Sequence, residues 1–168
     1  MKRIAFLILI ALLAAVFVYA HSNKEEPRPG IPTAFMKRED KVDHKASFAI
    51  FTHGTFRVFT ASMYHDRSPD VFIQADNPNI VHVKKSNLTW DDFFRTLPFK
   101  LTKECLITGG GETFCSGQGG ILKFYLNGKR NDDLLKEVVR PNDRVLVSFG
   151  NEKESQIKNQ LDGVVAVQ

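Results

Sequence analysis

The two cysteines of the chain bracket one eleven-residue stretch, CLITGGGETFC, from Cys105 to Cys115, with three glycines at its centre. Thiols at this spacing admit three chemistries: a redox pair, part of a metal site, or a structural disulfide. Redox pairs sit close in sequence, as in CxxC, and one thiol is made acidic by a helix start or a nearby cation. Here nine residues intervene, Glu104 precedes the first thiol, and no helix pattern follows Cys105. If LIT and ETF run antiparallel around the glycines, the cysteines face each other across a hairpin. Closing such a loop is worth about 3 kcal/mol in the chain-entropy account. The stretch therefore points to a Cys105–Cys115 disulfide, with a thiol-disulfide oxidoreductase as the alternative.

The other metal-capable residues are five histidines, His21, His44, His53, His65 and His82, each isolated in sequence. Zinc and copper sites need three or four His, Cys or carboxylate ligands with a supporting outer shell. No HxH, HxxxH or CxxC spacing occurs. A metal reading would rest on His44, His82 and His65 converging in space. Otherwise these are surface or strand-end residues, with His53 in a turn beside Gly54, and no cofactor is expected.

No catalytic residue emerges. The chain has no GxSxG elbow, no HExxH and no phosphate-binding glycine loop, since GGGETF lacks the Lys-Ser/Thr ending and a following helix. Carboxylates pair at Asp91–Asp92 and Asp132–Asp133, but neighbours in sequence point in different directions and set no acid opposite a base. Asn87-Leu88-Thr89 is a glycosylation sequon, so Asn87 is a candidate modification site in an exported chain.

Strands supply most of the framework that would position these residues. ASFAIF alternates Phe48 and Ile50 against Ser47 and Ala49, and a glycine turn separates it from FRVFT, which predicts a hairpin. VFIQ and IVHVK flank an Asp-Asn-Pro turn and form a second candidate pair. ILKFYL ends in Asn127–Gly128, a two-residue hairpin signal, and a Pro-Asn turn precedes the last strand, Arg144 to Phe149.

One helix is well marked, in TWDDFFRTLP. Thr89 caps it, Asp92 completes a capping box, and Asp91 and Asp92 complement the dipole. Trp90, Phe93, Phe94 and Leu97 form one apolar face, and Pro98 ends the helix at Leu97. At this spacing the aromatics are core rather than a ligand cage. The expected fold is α+β, a mixed β-sheet with one main helix packed on it, and β-grasp-like is the simplest case. Residues 153–168 read as a tail with a marginal helix, since Ile157 and Leu161 are its only apolar positions up to residue 161.

The blocks LTWDDFFRTL, LKFYLNGKRN and PNDRVLVSFGNE resemble successive segments of poorly characterised, exported small proteins of archaea and uncultured bacteria. The domain of those proteins is in turn similar to β-grasp modules related to the C-terminal domain of cobalamin carriers. The resemblance spans roughly residues 45–152 and implies a β-grasp domain. It also implies a metal role through clustered HxH pairs, but this chain departs there. Its middle hairpin, VFIQADNPNIVHVKK, keeps His82 alone, and the first strand has only nearby His44.

The 168-residue chain opens with Lys2 and Arg3 and then an apolar or small run to Ala20, the layout of an export signal. The run, seventeen residues or about 25 Å as a helix, also admits a retained membrane anchor. Either outcome places the domain on the outer side, because the preceding positive charges stay in the cytoplasm. Residues 21–43, rich in charge and holding three prolines, read as an extended linker, and residues 44–152 as the domain.

Removing residues 1–20 leaves 21 basic against 19 acidic residues, a net charge of +2. That mild, dispersed charge excludes a nucleic-acid partner. The expectation is an extracytoplasmic, secreted or membrane-anchored binding or interaction domain for a protein or small molecule, held by a disulfide. If uncleaved, the N-terminal segment contacts the membrane. A thiol-disulfide oxidoreductase and a metal-binding protein remain the alternatives.

Overall fold

The computed structural model describes residues 40–167. The expected N-terminal signal or anchor, and the expected linker up to residue 39, lie outside the described residues. Among the described residues no helix is long and apolar enough to cross a membrane.

The first strand, β1 (Lys41–Thr52), turns at His53–Gly54 into a two-residue β2 (Thr55–Phe56). Strand β3 (Val71–Phe72) pairs antiparallel with β4 (Ile80–Lys85), as VFIQ and IVHVK suggested. Helix α1 (Trp90–Phe94) follows. A small sheet of β5 (Lys100–Leu101), β6 (Cys105–Ile107) and β7 (Thr113–Cys115) comes next. Strands β8 (Ile121–Leu126), β9 (Lys129–Arg130) and β10 (Arg144–Gly150) complete the main sheet, and α2 (Glu154–Asp162) ends the fold.

The main sheet runs β3-β4-β1-β10-β8-β9, with β2 added to β1. Strands β1 and β10 lie parallel at its centre, with Phe48 opposite Val145, while β4 and β8 flank them antiparallel. A parallel central pair, an antiparallel strand on each side and a helix between β4 and β8 make the α+β, β-grasp-like arrangement. On one face Phe48, Val81, Phe124 and Val147 pack against Trp90, Phe93 and Phe94 of α1. Phe48 meets Phe93 edge-on at 5.2 Å and Phe94 at 5.9 Å, a geometry favoured by aromatic quadrupoles.

The helix start forms as its residues dictate. Asp92 N–H donates to Thr89 Oγ1 at 3.1 Å, and Thr89 N–H donates back to Asp92 Oδ2 at 2.8 Å. Regular α geometry ends at Phe94, three residues before the expected Leu97. The chain then tightens into i to i+3 bonds, Thr96 N–H to Phe93 O and Leu97 N–H to Phe94 O, which still bury Leu97 ahead of Pro98.

Three boundaries differ from expectation. The domain starts before His44, because Lys41 already pairs with Lys85 and Val42 packs on the core. The first hairpin stops pairing at Phe56, and Phe59 turns inward to lie 5.1 Å from Phe48. Residues 153–167 are more than a tail with a marginal helix. Helix α2 covers the second face of the sheet through Ile157, Leu161 and Val164, against Ala49, Phe51 and Leu146. Arg144 holds its C-terminal end by donating to the carbonyls of Leu161, at 3.2 Å, and Val164. The third apolar residue, Val164, lies beyond the stretch in which only Ile157 and Leu161 stand out.

Candidate functional site

The disulfide joins Cys105 to Cys115, which face each other across β6 and β7 with 4.2 Å between their Cα atoms. Ser116 N–H donates to Glu104 O just beside them, so the cysteines fall at a non-hydrogen-bonded pair, where strands approach most closely. Both lie in strands, away from a helix N-terminus that would acidify a thiol. Two of the three glycines have a clear geometric role. Gly111 takes φ +87°, and a Cβ on Gly109 would lie 2.6 Å from the carbonyl oxygen of Pro98. The hairpin tip thus packs directly on the chain leaving α1.

Arg57 clasps this hairpin to the main sheet. Its Nε donates to Thr52 Oγ1 at 2.6 Å, its Nη1 to Glu112 Oε2 at 2.9 Å, and its guanidinium carbon lies 5.0 Å from the centre of the Phe114 ring. His53, in the left-handed turn expected beside Gly54, meets Phe149 at 5.0 Å and Phe114 at 5.9 Å. Nothing local in the sequence marks the Arg57–Glu112 pair, whose members stand 55 residues apart.

Between the hairpin tip and residues 55–59 lies a groove of about 350 Å³, a volume within the range of small-molecule and peptide-side-chain pockets. Ile50, Phe59, Tyr64 and Leu106 contribute apolar wall, and Thr108, Gly109 and Gly110 form the opposite rim. Val58 also lines it and is 62% exposed, and Met63, 49% exposed, lies beside the hairpin tip at Gly109, whereas the Phe56 ring turns to Phe51, 5.2 Å away on the α2 face of the sheet. Isolated exposed apolar residues are ordinary, but exposed ones beside an apolar concavity mark a candidate contact surface.

The three candidate metal ligands are not brought together. His44 is paired with Val83, a residue of the α1-side core, whereas His82 is paired with Lys45 and Phe72 on the other face of the sheet. Adjacent residues of a strand point to opposite faces, so the two imidazoles are separated by the sheet itself. His65 stands in a loop, where Nε2 lies 2.9 Å from Phe59 O, and His44 Nε2 lies 3.2 Å from Val139 O. Among the described residues no group of three or more His, Cys, Asp or Glu is arranged to hold a metal.

His82 stacks on Phe72 at 5.2 Å, and burial, reinforced by the charges of Lys45 and Lys84, holds its pKa below the usual histidine value. Each paired carboxylate has a separate job. Asp91 binds Arg95, Asp92 caps α1, Asp132 binds Arg130 and Asp133 binds Lys136. Asn87 adopts φ +61° in the turn before α1, its amide donating to Ser86 Oγ at 3.1 Å, and Thr89 is engaged in the cap.

Compared with known proteins, the chain matches no family model, no curated protein and no solved structure.

Proposed function

We propose that this chain is an exported, non-enzymatic binding module, either secreted or held at the membrane by its N-terminal segment, and that its partner docks in the groove beside the disulfide hairpin. The observation that carries the reading is a concavity with exposed Val58 in its wall and exposed Met63 beside its tip, whose two sides are tied by a disulfide and by the Arg57–Glu112 ion pair. A surface that must recognise a partner benefits from walls held in place before contact, because less ordering is lost on binding. Export is supported by Lys2 and Arg3 ahead of the apolar run, and a disulfide suits an oxidising compartment.

The test is site-specific photo-crosslinking in cells that make the full chain, with a benzophenone amino acid at position 58 or, as a control on another face, at position 158. A discrete adduct from position 58 that is missing from position 158, and that disappears with Met63→Asp, is the expected result. Equal labelling from both positions sinks the assignment of the groove.

A further inference from the structure

Charges between residues 40 and 167 are nearly balanced, with seventeen Lys and Arg against sixteen Asp and Glu. They are unevenly placed. A second cleft, of about 630 Å³, opens between α1, the β5–β6 turn and the single turn Leu134–Lys136. Arg95, Lys100, Lys103 and Lys136 all line it, and Asp91 is the one acidic residue in its wall. Two of these cations are already committed, Arg95 to Asp91 and Lys136 to Asp133, each at 2.9 Å. Lys100 and Lys103 form no ion pair among the described residues, although Lys103 stands near enough to Asp133 for its charge to help Lys136 lower that carboxyl's pKa.

The floor between the cations is apolar, with Leu101 buried and Phe99 and Leu135 half-buried. A single surface lysine is simply solvated. Several cations around a concave apolar floor focus their field into the cleft and favour an anion there.

We propose that this cleft binds an acidic segment of a partner protein, one in which carboxylates alternate with apolar side chains. The carboxylates answer Lys100 and Lys103, and an apolar side chain between them covers Leu101, Phe99 and Leu135. An acidic glycan satisfies the cations but not the floor. Sugars prefer an open aromatic face, and the only ring in this cleft, Phe99, packs inward, 6.0 Å from Phe59 and 6.2 Å from Phe94. Only Phe99 borders both this cleft and the groove at the hairpin, so the two surfaces are tested separately.

The experiment uses the full oxidised chain in mild detergent and a fluorescein-labelled peptide of alternating Glu and Leu, read by fluorescence anisotropy. The expected result is saturable binding that weakens about tenfold as salt rises from low concentration to about 0.5 M, where charge interactions beyond a few ångströms are screened. Lys100→Glu/Lys103→Glu weakens it about tenfold or more at low salt, Lys100→Ala/Lys103→Ala shifts it in the same direction, and Lys158→Glu, on the exposed side of α2, leaves it unchanged. Three outcomes overturn the proposal: undiminished binding by both double variants, equal binding of a Lys-Leu peptide, or binding of a heparin fragment in place of the Glu-Leu peptide.

Discussion

Glu152 accepts a hydrogen bond from Lys123 Nζ at 2.8 Å, with only 5% of the glutamate side chain and 9% of the lysine side chain exposed. The same ammonium donates to Gly150 O at 3.0 Å. The pair thus joins β8 to the end of β10. A buried ion pair adds little net stability over a well-packed apolar pair, but removing one member strands the other charge. Lys123→Met is expected to lower the unfolding free energy by about 3–5 kcal/mol, and Lys123→Met/Glu152→Leu to recover much of that loss. Urea denaturation of the two variants measures the difference.

The same carboxylate makes stability depend on acid. Burial raises the Glu152 pKa, but the bonds from Lys123 and from backbone amides outweigh it, so the folded value lies below 4.5. A depressed folded pKa contributes stability that is complete above the unfolded value and lost as pH falls through the folded one. The wild-type chain should therefore lose stability as pH drops below 4.5, and Glu152→Gln should show a shallower slope there, as read from urea midpoints at successive pH values. An unchanged slope in the variant would assign the acid sensitivity to other groups.

The disulfide predicts a staple rather than a redox cycle. Replacing both cysteines, Cys105→Ser/Cys115→Ser, is expected to lower the unfolding free energy by about 3 kcal/mol in the chain-entropy account while leaving far-UV circular dichroism unchanged. Thiol titration of the oxidised chain under mild reductant should find the bond slow to open. Rapid, reversible cycling would instead favour the oxidoreductase reading.

Much of this architecture was legible because local signals and tertiary packing agree. Thr89 and Asp92 form the capping box that TWDD announces, Asn127–Gly128 turns β8 into β9, and Cys105 opposes Cys115 once the glycines reverse the chain. The parts that were not legible depend on residues distant in sequence. Lys123 meets Glu152 through sheet order and Arg57 meets Glu112 through the packing of the small hairpin on the main sheet, and neither pair has a periodicity that could announce it. Strand pairing likewise placed His44 and His82 on opposite faces, a separation that isolated histidines in a sequence cannot reveal. The groove was invisible for the same reason. Val58 alternates with the inward Phe59 like any strand residue, and only the nearby hairpin makes its exposure a surface feature.

The consecutive glycines separate into different requirements. A methyl group on Gly109 would press on the Pro98 carbonyl at 2.6 Å, whereas the nearest atom to one on Gly110 is Thr108 Oγ1 at 3.8 Å, an ordinary contact. Gly109→Ala is expected to lower stability by about 1–3 kcal/mol, because rigid backbone must shift, and Gly110→Ala to be nearly neutral. Thermal melts of the two variants decide the matter. Equal effects would show that the hairpin tip does not rest on Pro98.

The C-terminal helix is the last test, because it separates a covering element from a dispensable tail. Ile157 is buried against Ala49 and Leu146 with Val164 beside it, on the face of the sheet that α1 leaves open. Ile157→Ala should lower the unfolding free energy by about 2–5 kcal/mol through lost burial and the cavity left behind. Lys158→Ala, one position on and exposed, should have little effect. A chain ending at residue 152 would uncover Ala49, Phe51 and Leu146 and should bind more of an environment-sensitive apolar dye than the full chain does. If the shortened chain instead melts like the full one without binding more of the dye, the second face needs no cover and the helix has some other purpose.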